Sequence, residues 1–123
     1  MTTQWIWDGT GYTFDISEAE CISRITDVFA GRKELFPDDA ALTPSQKAEN
    51  ICHAVRIFFS ALFGDEKSRT ICGVRQSAAR CTEAYLDFIS FLGRQIDEFS
   101  RIREAVEEKY AERAASLADG TGS

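Results

Sequence analysis

The sequence predicts a mainly α-helical protein: a short N-terminal β-hairpin, then a helical bundle that ends in one long helix. Three observations lead there. From about Ser77 to Ala115 there is no proline, and apolar residues recur every three or four positions. Two earlier segments open with helix-start signals, at Ser17 and at Thr43. Strand chemistry around a tight turn is confined to the first fourteen residues.

In the hairpin, Gln4–Ile6 and Tyr12–Phe14 are rich in aromatic and β-branched residues, and Asp8-Gly9-Thr10-Gly11 between them is strong turn chemistry. A lone two-stranded hairpin is marginal in water. Its aromatic face of Trp5, Trp7, Tyr12 and Phe14 must lie on the chain's own helices or on a partner, and burial on its own helices is the simpler expectation.

Ser17-Glu18-Ala19-Glu20 reads as a capping box opening helix 1, followed by Cys21, Ile22, Ile25, Val28 and Phe29 at helical spacing. Gly31 ends or weakens that helix, and Leu35-Phe36-Pro37 forces a stop. After a polar loop, Thr43 is the expected N-cap of helix 2, with Pro44 at its first position and Gln46 completing a capping box. This helix runs to about Phe63 and is apolar around most of its circumference, which places it at the centre of the core; Gly64 caps its end. Asp65–Cys72 forms one or two short turns ended by Gly73.

The last helix carries Tyr85, Phe88, Leu92, Ile96, Phe99, Ile102, Val106 and Tyr110, with Gly93 as its weak point. Roughly 38 residues give about 57 Å of helix. A domain of this size has a radius of gyration near ~14 Å, hence a diameter of roughly 35 Å. The helix outreaches its domain. Its second half is charged on three sides and apolar on the fourth. Either helix 1 folds back over that stripe or another chain covers it, and few other segments remain to do so. Residues 1–116 are expected to form a single domain, with Leu117 to Ser123 as a flexible tail.

With 123 residues, 44% of them hydrophobic and 28% charged, the chain has one globular core and no disorder signature. No stretch is apolar enough for a membrane span, and the N-terminus lacks a signal peptide, so a cytoplasmic protein with free, buried Cys21, Cys52, Cys72 and Cys81 is expected. A net charge of -6 argues against direct nucleic-acid binding.

No chemistry is apparent. Cys52 and His53 are adjacent on a helix and point about 100° apart, so they do not share a metal ion. His53 is expected to be a helix-face residue without a nucleophile beside it. Asp38-Asp39 and Glu107-Glu108 read as solvated charges, and Gly9-Thr10-Gly11 joins strands instead of opening a phosphate-binding helix. No cofactor, metal or catalytic residue is expected.

The order of these pieces is familiar. Tyr12-Thr13-Phe14-Asp15-Ile16 runs into Glu18-Ala19-Glu20, and a middle helix closes on Phe58-Phe59-Ser60-Ala61-Leu62-Phe63-Gly64-Asp65-Glu66. Cys72-Gly73 follows, and then a long helix opening Cys81-Thr82-Glu83-Ala84-Tyr85-Leu86-Asp87-Phe88. Over residues 12 to 113 this resembles a family of small proteins from phages and prophages of Gram-positive bacteria that look like tail assembly chaperones of long-tailed phages. The resemblance implies a non-enzymatic helical protein that binds the phage tape-measure protein, keeps its long helices soluble and helps tail-tube subunits gather on it. Trp5 and Trp7 fall outside the resemblance and leave room for a different partner.

Such a task needs an apolar stripe on an acidic, soluble exterior. The candidate protein-binding residues are Phe88, Phe91, Leu92, Phe99, Ile102, Val106 and Tyr110, and the same stripe suits a homo-oligomer. The alternative is a phage-encoded inhibitor of a host defence nuclease, in which a concentrated acidic face would occupy a basic channel.

Overall fold

Two residues close the hairpin. Asp8 and Gly9 both adopt positive φ, 50° and 76°, the pattern of the type I′ turn whose twist matches paired strands. The turn is therefore tighter than the four residues Asp8–Gly11, and the strands run Gln4–Trp7 (β1) and Thr10–Thr13 (β2). They are antiparallel, in the register Gln4↔Thr13, Trp5↔Tyr12, Ile6↔Gly11 and Trp7↔Thr10. The computed structural model describes residues 1–30 and 41–121. The expected stop at Gly31 and Leu35-Phe36-Pro37 lies outside the described residues, as do Asp38 to Ala40 and the last two residues of the tail.

Among the described residues four helices follow: Ala19–Ala30 (α1), Pro44–Phe63 (α2), Asp65–Cys72 (α3) and Ala78–Thr121 (α4). The entry to α1 differs from the expected capping box. The Ser17 amide and hydroxyl both donate to Asp15 Oδ1, at 2.9 and 2.6 Å, and Glu20 pairs with Arg24 one turn on. The first helical bond runs from Ile22 N to Glu18 O, so the helix starts one turn-residue later than Ser17 allows. Asp15, a short carboxylate just upstream, captured the serine by a local turn.

At α2 the capping box forms as read. Gln46 N donates to Thr43 Oγ1 and Thr43 N to Gln46 Oε1, with Pro44 inside the first turn. Gly64 ends α2 with φ 95° and its N–H on Ser60 O, and Gly73 ends α3 in the same way on Arg69 O. Both positions use the left-handed region that a side chain resists.

One core cluster joins these elements. Its centre is aromatic: Trp5, Phe14, Phe58, Phe59 and Phe88 are all buried. Trp5 stacks on Phe59 at 5.5 Å and meets Phe88 edge-on at 5.2 Å. The hairpin thus lays its aromatic face on α2 and α4. The indole N–H of Trp5 donates to Asp87 Oδ2 at 2.7 Å, and that of Trp7 to Ile71 O at 3.1 Å.

Cys52, Cys72 and Cys81 are buried where α2, α3 and α4 converge, and Cys21 is half-buried on α1; all four are free thiols. Cys81 neighbours both Cys52 and Cys72. Burial pushes all three thiols above their ordinary pKa.

Candidate functional site

α4 has 44 residues, about 66 Å of helix. Its apolar line is interrupted once, by the buried Gln95. At 100° per residue, Tyr85, Phe88, Leu92, Gln95, Phe99, Ile102, Val106 and Tyr110 share one face within about 100°. What covers that face changes abruptly along it.

Phe88, Phe91 and Leu92 are core residues. They were candidates for contact with a partner, but all three are buried within the chain, and Phe88 meets Trp5, Phe14, Phe58 and Phe59. They form the seat on which the domain packs, and their surface is already used. Phe99 is the transition. It is half-buried against the core, with the Arg103 guanidinium 5.9 Å from its ring centroid.

Beyond it every side chain from Arg101 to Leu117 is exposed. Ile102 is 49% exposed, Val106 60% and Tyr110 77%. Leu117, at 65%, continues the line two turns past Tyr110. It had been assigned to the frayed tail, whereas the helix persists to Thr121. Its spacing of seven from Tyr110 was the signal that could have found it. α1 does not fold back over this stripe; it packs on α2, where Arg24 reaches Leu62 O at 3.3 Å. Among the described residues the stripe is bare. Around it, Arg101, Arg103, Lys109 and Arg113 are mixed with Glu104, Glu107, Glu108 and Glu112, so no single sign of charge dominates the segment.

A second surface went unread in the sequence. Between the outer edge of β1 and α4 lies a groove of about 420 Å³, with Gln4 and Ile6 on one side and Phe91, Arg94 and Glu98 on the other. Phe91 stood among the candidate binding residues, whereas Arg94 and Glu98 carried no signal of their own in the sequence. Only the hairpin's position, fixed by Trp5 and Gln95, gives them a facing wall. His53 is exposed on α2 at the rim of a shallow depression with Arg56, Ile57 and Ser60. Among the described residues no group of three or more His, Cys, Asp or Glu is placed to hold a metal ion, and no helix is long and apolar enough to cross a membrane.

No curated protein and no solved structure matches the chain. A family model does match, across residues 8–118, from the hairpin turn to the exposed end of α4. The protein belongs to that family, the family of unknown function DUF6673.

Proposed function

We propose that this protein is a non-enzymatic assembly chaperone of a long-tailed phage, acting in the host cytoplasm on the tape-measure protein through the bare stripe of α4. The observation that carries the reading is the row Ile102, Val106 and Tyr110, exposed on a helix that has left its own domain. An amphipathic helix laid against that row would bury its own apolar face, and the tape-measure protein is a long supply of such helices. Small contacts repeated along a partner suit a chaperone that must later let go. The mixed charges beside the stripe favour this reading over inhibition of a nuclease, which calls for a gathered acidic face. The stripe also suits self-association between two copies in the absence of the partner.

The test is co-expression with the tape-measure protein of a long-tailed phage. The expected result is a soluble complex that co-elutes in size-exclusion chromatography. Ile102→Asp with Val106→Asp keeps the fold, because both side chains are outside the core, and loses the complex. A double variant that still holds the tape-measure protein in solution sinks the proposal.

A further inference from the structure

The free edge of β1 offers a second binding surface, independent of the stripe. In the observed register, Thr3, Trp5 and Trp7 direct their backbone groups at β2, as the bond from Phe14 N to Thr3 O at 2.8 Å confirms at the open end. Gln4 and Ile6 therefore direct their N–H and C=O groups the other way, along the outer edge. Thr2, the next residue with that orientation, is already engaged: its C=O accepts from Gln95 Nε2 at 2.8 Å. The open edge is thus short and bounded, by Gln95 at one end and by the turn at the other. Ile6 is 60% exposed beside it.

This edge faces the 420 Å³ groove whose other wall is α4. That wall carries Asp87, Phe91, Arg94 and Glu98. Asp87 is occupied by the Trp5 indole. Glu98 Oε2 is buried and has no hydrogen-bond partner among the described residues, an arrangement that costs stability unless something binds there.

We propose that this groove binds an extended peptide as a third strand on β1, with a lysine or arginine of that peptide paired to Glu98. Backbone bonds to Gln4 and Ile6 supply the register, and the half-buried Glu98 carboxylate supplies the preference for a basic side chain. Two copies are kept from pairing β1 to β1, because in each of them α4 walls that edge; a short peptide carries no such wall. Gln4 and Ile6 bracket one residue, so the paired core of the ligand is about three residues long. Binding is correspondingly weak, and its selectivity comes from charge and backbone.

The experiment uses the full-length, ¹⁵N-labelled protein and three synthetic heptapeptides. One alternates valine and lysine between threonine ends, a second replaces lysine with glutamate, and a third is the lysine peptide N-methylated at alternate backbone amides. The expected result is saturable amide shifts at Gln4, Ile6, Arg94 and Glu98 with the lysine peptide. The glutamate peptide binds at least about tenfold more weakly, and the N-methylated peptide not at all. Glu98→Gln, on a partly exposed helix face, leaves the tryptophan fluorescence unchanged and weakens the lysine peptide about tenfold. Three outcomes overturn the proposal: no saturable shift at millimolar lysine peptide, equal binding of the N-methylated peptide, or shifts confined to the residues beyond Phe99. Concentration-dependent broadening of Gln4 and Ile6 without peptide assigns the edge to a second copy and overturns it too.

Discussion

Gln95 accepts from Ile16 N at 3.2 Å and donates to Phe14 O at 2.6 Å and Thr2 O at 2.8 Å. One buried amide on α4 thus satisfies backbone groups beside both strands at the open end of the hairpin. A side chain of this polarity inside the core is tolerated because each of its groups is used. Gln95→Leu keeps the volume and removes the bonds, leaving buried groups of Phe14 and Ile16 unpaired. The expected cost is about 2–4 kcal/mol, read as a lowered urea midpoint. The three core thiols make a different prediction. Their pKa values are raised by burial, so above the ordinary thiol value the unfolded chain releases protons that the folded chain retains. Stability is complete below about pH 8 and falls as pH rises, by up to about 1.4 kcal/mol per thiol per pH unit. Thermal melts between pH 7 and 10 should show the slope, and Cys72→Ala should make it shallower.

Among the elements, α4 holds one glycine in its interior, and a Cβ built on Gly93 meets nothing within 4 Å. Gly93→Ala should raise stability by about 0.5–1 kcal/mol. The same change at Gly64, where φ is 95°, should lower it, and paired melting temperatures check both signs. The elements were the most legible part of the chain. Capping chemistry located α2 to the residue, and the unbroken period of three and four located α4. The start of α1 was misread because Ser17 has two local carboxylates to choose from, and sequence spacing does not rank Asp15 above Glu20. The hairpin turn was placed but drawn too wide, since Thr10 and Gly11 carry turn chemistry while serving as strand.

For the whole molecule, the candidate surface was legible only in part. Phe88, Leu92, Ile102 and Val106 occupy one line of one helix with the same spacing, and nothing local says where the domain stops covering it. That boundary, at Phe99, depends on where the hairpin and α2 end in space. Glu98 was illegible for a related reason: its facing wall is supplied by β1, which lies far off in sequence. The division has a direct consequence. Truncation after Ser100 removes no residue of the core cluster. The shortened protein should keep its near-UV circular dichroism and melt within a few degrees of the full chain, while losing whatever binding the stripe provides.

The exposed part of α4 also stands under a separate thermodynamic regime. Its amides gain nothing from the aromatic core, and a solvated helix of about 20 residues is held only marginally by its own alanine-, glutamate- and arginine-rich composition. It should breathe while the domain stays shut. Hydrogen exchange would then split one uninterrupted helix into a slow half and a fast half, with the step near Phe99. Any partner that settles on the stripe must quench that breathing. The mean ellipticity at 222 nm would therefore rise on binding, and its rise would count occupied stripes with no label attached to either protein.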